Sequence, residues 1–302
     1  MNNRIGKEDA KVFAAYLAVC IIWGSTYLAM RIGVSEFPPE LFAGIRFVTA
    51  GLLVLVYTRL KGNKFPDSFK DIRRISTVGL LLILGANGLV IWVEQWVHSG
   101  ITALILATCP LFMALLELFL PGGSSMWFGG WLGLLIGFGG VSLLVLSTKG
   151  SGVIDIPGAL ILILAAFSWA VGSVYSKSFK PSGSILTNLG IQMVAGGMGQ
   201  CITGIILGEL PRVQFTSKGI GAMVYLILIG SIVGYGSFTY LIQKWPAARA
   251  GTYAYVNPVV AVVLGALILN EPVGLGVVAS TLIILIGVLL VQLSKTTRNK
   301  EV

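Results

Sequence analysis

The chain has 302 residues, 56% hydrophobic and only 11% charged, with a formal net charge of +9 and a mean hydropathy of +0.90. Charge this sparse excludes an ordinary soluble domain, because uncharged runs recur at the ~20 residues that a helix needs to cross a bilayer core. Cys20, Cys109 and Cys201 lie singly in three different runs, without a CxxC pair, and suggest neither a disulfide nor a metal site.

The runs predict ten spanning helices. Helix 1 (12–30) carries Tyr16, Cys20, Trp23, Tyr27 and Met30 as one stripe at helical spacing, with Thr26 beside it, and ends at Arg31. It reads as a span rather than a cleaved leader, since another span follows at once. Helix 2 (41–58) follows EFPPE and carries Arg46. Helix 3 (75–97) has Asn87 and Glu94 on a shared face, with Trp92, Gln95 and Trp96. Helix 4 (99–120) carries Thr102, Thr108, Pro110 and Glu117, and helix 5 (127–148) is rich in glycine. Helix 6 (156–176) carries Trp169 and Ser173, and helix 7 lies between Lys180 and Glu209. Helix 8 (219–243) offers Tyr235, Thr239 and Gln243. Helix 9 (247–269) offers Thr252, Tyr253, Tyr255, Asn257 and Pro258, and helix 10 (273–293) has Gly274, Gly276 and Gly287. The connectors are short, so function is expected within or between the helices.

The second half echoes the first. Pro258 follows Pro110 at an offset of 148 (258 − 110), Gln243 follows Gln95 at the same offset, and Trp169 follows Trp23 at 146 (169 − 23). The expected domains are therefore repeats at 1–150 and 151–302, five helices each. Five is odd, so the repeats cross the membrane in opposite senses. The expected fold is an all-α polytopic membrane protein with ten transmembrane helices as two inverted-topology five-helix repeats. That architecture recurs in secondary transporters, whose substrate site lies near the midplane between the halves.

Sixteen of the 21 Lys and Arg residues fall on the segments that share a side with the N-terminus. The positive-inside rule then places both termini in the cytoplasm. The basic 59–74 segment is a short loop between spans, so its charge is assigned to lipid headgroups and no nucleic-acid partner is expected. No catalytic motif such as GxSxG, HExxH or a P-loop is present, and no enzyme activity or cofactor is expected. His98 is the only histidine, and polar packing is the more economical reading than a proton relay.

Several stretches resemble the drug/metabolite transporter superfamily, in its ten-helix EamA family of exporters. They are Trp23-Gly24-Ser25-Thr26 with Arg31, Pro38-Pro39, Arg46-Phe47 with Ala50-Gly51, and Asn257-Pro258 with Asn270-Glu271-Pro272 and Gly287-Val288. The resemblance covers essentially the whole chain. It implies export of amino acids, other small metabolites or toxic compounds across the bacterial inner membrane. It also implies a basket whose central cavity is lined mainly by helices 1, 3, 4, 6, 8 and 9, with helices 5 and 10 outside. The chain departs from the pattern where Gly122-Gly123-Ser124 stands at the first-half position of Asn270-Glu271-Pro272.

The candidate substrate residues are the polar and aromatic side chains deep in the spans: Trp23, Thr26, Tyr27, Asn87, Trp92, Thr108, Trp169, Ser173, Tyr235, Thr239, Tyr253 and Asn257. Their alternative is helix packing or the interfacial aromatic belts. Such walls would suit amphipathic small molecules and cations. Pro110 and Pro258 are expected to kink helices 4 and 9 at the cavity. Glu94 is a candidate for a proton or a substrate amine and Arg46 for a carboxylate. An interfacial ion pair, with each other or with Arg31, is the alternative. The expected partners are a small-molecule substrate and the lipid bilayer, with protons as the coupling ion. A homodimer contact through the short apolar ends of helices 5 and 10 and intramolecular packing of their glycine-rich faces are equal alternatives. A second function hypothesis, a membrane-embedded enzyme or translocator acting on lipid-linked substrates, would need its polar groups clustered at one interface.

Overall fold

The computed structural model describes residues 2–117, 124–148, 156–245, 250–251, 253–271, 273–294 and 296–298. Gly122, Gly123, Thr252 and Pro272, named above, lie outside them, as does the Tyr255 side chain. Among the described residues the chain forms ten long helical segments. They are α1 Asn2–Glu36, α2 Pro39–Leu60, α3 Phe69–Val93, α4 Ser99–Glu117, α5 Phe128–Thr148, α6 Ile156–Lys177, α7 Ile185–Ile206, α8 Ser217–Lys244, α9 Tyr253–Leu269 and α10 Leu275–Leu293. Among the described residues α1–α4 and α6–α8 are long and apolar enough to span a bilayer. The apolar stretches Phe128–Gly140, Val256–Leu269 and Leu275–Gly287 of α5, α9 and α10 are shorter. One feature departs from an all-helical expectation: β1 Ser124–Met126 pairs antiparallel with β2 Thr296–Arg298.

The helices begin where the sequence supplies caps. Ser68, Ser184 and Thr216 accept the backbone N–H of Asp71, Thr187 and Gly219 at the starts of α3, α7 and α8. Pro39 opens α2, where its missing N–H costs nothing.

Two other helix starts are capped from a distance. Glu209, 1% exposed, accepts the backbone N–H of Leu41 at 2.9 Å, at the start of α2. Glu271 accepts Ser99 N–H at 3.1 Å and the Ser99 hydroxyl at 2.8 Å, at the start of α4. Both carboxylates are set by the same local device. A left-handed residue, Gly208 (φ 69°) or Asn270 (φ 55°), precedes each glutamate, whose N–H then bonds back to the carbonyl of Gly204 or Gly265. A carboxylate at a helix N-terminus satisfies orphan donors and complements the helix dipole.

These ties fix which connections share a face. β2 follows α10 and pairs with β1, which precedes α5. Asp71 at the start of α3 accepts Ser182 N–H at 3.0 Å and its hydroxyl at 2.7 Å, from the α6–α7 connection. That face, which also receives the start of α1, is called the terminal face below. Glu209 and Glu271 cap on the opposite face.

Helix pairing follows the repeat. The most extensive pairs are α2 with α7 and α5 with α10, each helix against its own counterpart. Small residues bring the α2 and α7 backbones together: a Cβ on Gly197 would lie 2.7 Å from Val48 N, and one on Gly44 2.7 Å from Cys201 N. Between α5 and α10, a Cβ on Gly287 would meet Gly137 N at 2.4 Å, so those glycines serve packing within the chain. The remaining helices surround the molecular centre: α1 packs on α9 and α8, and α6 on α4 and α3.

Gly197→Leu is expected to abolish a monodisperse species in detergent, because α2 cannot withdraw without losing its whole interface. Gly221→Leu, on a glycine with nothing within 4 Å of its Cβ position, is expected to leave the elution profile unchanged. Size-exclusion chromatography of the two variants checks both outcomes.

Candidate functional site

Near the middle of the helices lies a central cavity of about 780 Å3, mouth included. Its walls come from Trp23, Thr26, Tyr27 and Met30 of α1, Ile83, Ala86, Asn87 and Val90 of α3, and Ala103, Leu106, Ala107 and Cys109 of α4. Ala165, Ala166 and Trp169 of α6, Gly230 and Tyr235 of α8, and Tyr253, Ala254 and Asn257 of α9 complete the ring expected from the resemblance. To these six helices the structure adds α2, through Arg46 and Phe47.

The backbone around the cavity is irregular in a paired way. α3 winds as a π-helix over Leu80–Gly88, and α8 does so over Leu226–Tyr235. Leu226 follows Leu80 at the 146 offset that separates the two tryptophans (226 − 80). Wide turns offer main-chain carbonyls to side chains, and three such carbonyls here have found donors. Ser168 Oγ donates to Leu81 O at 2.8 Å, Gln200 Nε2 to Ile83 O at 3.2 Å, and Trp23 Nε1 to Gly230 O at 3.2 Å. Main-chain groups at membrane depth are tolerated only when satisfied in this manner.

Trp23 is the centre of an aromatic cluster. Its ring lies 5.3 Å from Trp169 and 5.2 Å from Tyr253, both edge-on, and 5.1 Å from Phe238. Tyr235 stacks on Phe238 at 6.3 Å and 12°. This stack separates two spaces, for Tyr235 lines the central cavity and Phe238 lines a pocket of about 1100 Å3 between α3, α6, α7 and α8. That pocket also holds Lys177, Lys180, Asn188, Gln192, Thr239 and Gln243 and belongs to the terminal-face end. The Tyr235 hydroxyl donates to Gln192 Oε1 at 2.8 Å across the partition.

Towards the opposite face, Arg31 donates to the backbone carbonyl of Glu94. Glu94 is 0% exposed and neither carboxylate oxygen has a hydrogen-bond partner. A further pocket of about 740 Å3 there is lined by Arg31, Glu36, His98, Lys218, Asn270 and Glu271. Burial pushes the His98 imidazole below its ordinary value, with Glu271 opposing, so the uncharged form is favoured at that face.

Trp23, Thr26, Tyr27, Asn87, Trp169, Tyr235, Tyr253, Asn257 and Arg46 all line the central cavity. Five other candidates lie elsewhere. Trp92 is 39% exposed and stands edge-on to Trp96, on the outer surface. Thr108 is buried and donates to Ile105 O at 2.7 Å. Ser173 is buried one turn past Trp169, Thr239 lines the terminal-face pocket, and Glu94 is buried outside the cavity lining. No ion pair joins Glu94, Arg46 and Arg31. The prolines differ as well. Pro110 stands in the first turn of Cys109–Glu117, after a break that ends Ser99–Leu106, whereas Pro258 lies inside continuous α9. The residues before them, Cys109 and Asn257, are the ones that reach the cavity. In the orientation that satisfies its neighbours, the Asn257 amide nitrogen donates to Tyr253 O at 3.1 Å and to Cys20 O of α1 at 2.9 Å.

The sequence reading missed Gln192, Gln200, Ser168 and Ser231, polar side chains that hold the cavity walls. The rule that selected Asn87 selects them too, since all four lie inside apolar spans.

An all-helical, multi-pass membrane protein with an aromatic cavity among its central helices is the class that fold and site define. The EamA-like transporter family model matches the chain twice, over residues 11–146 and 156–293, and the chain belongs to that family. It is 40% identical over 258 residues to the uncharacterized inner membrane transporter YedA of Escherichia coli (strain K12), covering 84% of this chain and 81% of the relative. It is 27% identical over 292 residues to the uncharacterized transporter YvbV of Bacillus subtilis (strain 168), covering 96% and 93%. A solved structure described only as a crystal structure of a protein shares the fold, with a TM-score of 0.69 at 18% identity over 93% of this chain and 97% of that one. The chain is thus a multi-pass transporter whose relatives include an inner membrane protein.

Trp23→Phe keeps an apolar ring but leaves the Gly230 carbonyl without a donor. Its expected cost is about 1–3 kcal/mol, read as a lower melting temperature in detergent. Retention of the full melting temperature would show that the π-helical carbonyl needs no partner.

Proposed function

We propose that the chain is a secondary active exporter of small amphipathic metabolites, working by alternating access across the bacterial inner membrane with both termini cytoplasmic. The observation that carries this reading is the central cavity, set at the middle of the helices, with the Tyr235–Phe238 stack between it and the terminal-face pocket. A site near the midplane between two related halves is what alternating access requires. An enzyme acting on lipid-linked substrates would instead work at one interface, and the charged groups of the opposite-face pocket line no aromatic cavity of the kind found at the centre. The terminal-face pocket is the cytoplasmic vestibule on this reading, and the Tyr235–Gln192 hydrogen bond latches it shut.

Glu94 is the proton carrier in this scheme. Its carboxylate is buried without a hydrogen-bond partner, and Arg31 binds its backbone carbonyl beside it. In liposomes, the purified chain is expected to move labelled amino acids or related metabolites saturably and to accelerate under a pH gradient. Glu94→Gln is expected to keep substrate exchange and lose the acceleration. No movement of any compound from a broad panel, with or without the gradient, would sink the transporter mechanism proposed here.

The second cavity wall carries more of the recognition than the first. Asn257→Ala severs the tie between α9 and α1 at a cavity-lining position, while Cys109→Ala removes one thiol. The expected result is a larger transport defect for Asn257→Ala in the same liposomes, and equal defects would remove the asymmetry.

A further inference from the structure

Among the described residues, Arg46 is the only charged side chain that lines the central cavity. It is 3% exposed and sits inside the α2 span. Its Nε donates to Ser231 Oγ at 2.9 Å, and its guanidinium carbon stands 4.4 Å over the Phe47 ring. Nη1 has no hydrogen-bond partner. Among the described residues, no carboxylate lies within ion-pair distance of it: the recorded pairs are Lys64 with Asp67 and Arg212 with Glu209.

A guanidinium held this deep without a counter-ion is costly, and one hydroxyl and one aromatic face offset only part of the cost. Two carboxylates are treated differently: buried Glu209 and half-buried Glu271 serve as helix caps. Arg46 is held in place by Ser231, which the π-helical stretch of α8 presents to it, and keeps donor capacity in reserve. A guanidinium arranged in this way matches a carboxylate, which it can hold through two parallel hydrogen bonds.

The rest of the wall sets the shape of the remaining ligand. Trp23, Tyr27, Trp169 and Tyr253 offer aromatic faces and no acidic group, so the lining carries one positive charge and nothing to balance a cation. We infer that the central cavity selects monoanionic amphipathic molecules, carboxylates with an aromatic or aliphatic body, and that Arg46 anchors the carboxylate. This inference rests on the central cavity being the substrate site, as proposed above. It reverses the expectation, drawn from the aromatic residues alone, that the walls suit cations.

Equilibrium binding to the full-length chain in detergent tests the inference without requiring transport. Phenylacetate, cinnamate and hexanoate are compared with phenylacetamide, phenethylammonium and zwitterionic phenylalanine, using thermal shift and tryptophan fluorescence from the cavity rings. The carboxylates are expected to raise the melting temperature in proportion to occupancy. They are expected to bind at least about tenfold more tightly than the amide or the ammonium. Arg46→Lys is expected to keep the anion preference at reduced strength, and Arg46→Gln to erase it, bringing the carboxylates to the affinity of phenylacetamide. Should Arg46→Gln not fold, the Arg46→Lys variant and the wild-type ligand series still decide the matter. Equal or tighter binding of phenethylammonium, no binding by any of the three carboxylates, or an anion preference that survives Arg46→Gln would overturn the inference. Exchange of cations or zwitterions in liposomes alongside absent anion selectivity would overturn this inference and leave the transporter reading standing. Anion-selective binding without any transport would do the reverse.

Discussion

Backbone hydrogen bonding in a medium without water is the constraint on which this structure turns. A regular helix satisfies itself, so a membrane span needs no partners for its main chain. The two π-helical stretches give up that independence. Leu81, Ile83 and Gly230 carbonyls take donors from Ser168, Gln200 and Trp23, which belong to α6, α7 and α1. Each irregular turn is therefore bound to a particular neighbouring helix. The bonds that repair the backbone also set the positions of Trp23 and of the π-helical walls. The cavity exists where regular helix packing has been interrupted and the interruption has been paid for by named side chains.

The same accounting separates the structural charges from the unspent ones. Glu209 and Glu271 each meet backbone donors at a helix start, so their burial is offset by charge-assisted bonds. Their placement depends on glycine, because a Cβ on Gly204 would meet a Glu209 oxygen at 2.9 Å. Arg46, Glu94 and Glu40 differ from these. All three are buried, none has a carboxylate–cation contact at its charged atoms, and each retains unpartnered polar atoms. Partly satisfied buried groups are expensive, and in a folded protein they mark places where something else completes the network.

Much of this was legible in the sequence because membrane constraints are long-ranged and simple. Charge spacing predicted the ten helices, and the Trp23–Trp169 offset, with that of the prolines, predicted the repeat. What periodicity does not encode is depth along a helix. Ser173 shares a face with Trp169, yet it sits one turn beyond the cavity, and Trp92 shares a span with Asn87 yet faces outward. The π-helical stretches were also hidden, since a wide turn has no residue signature beyond small residues such as Gly85, Gly88, Gly230 and Gly234. The Glu209 cap had a cue in Gly208-Glu209-Leu210-Pro211, parallel to Asn270-Glu271-Pro272, but only one of the two belonged to a pattern already noticed.

The proline pair shows how duplicated sequence diverges in mechanics. Both prolines remove a helix N–H at matching positions. In α4 the chain responds with a break, and Thr108 turns back onto the Ile105 carbonyl. In α9 the helix continues, and Asn257 ties it to the Cys20 carbonyl of α1. The cavity is thus framed by one interrupted wall, α4, whose start is capped by Glu271, and one continuous wall, α9, tied to α1 through Asn257. Two halves built on one pattern have in this way acquired unlike walls, and the difference lies in how the chain accommodates the N–H that each proline lacks.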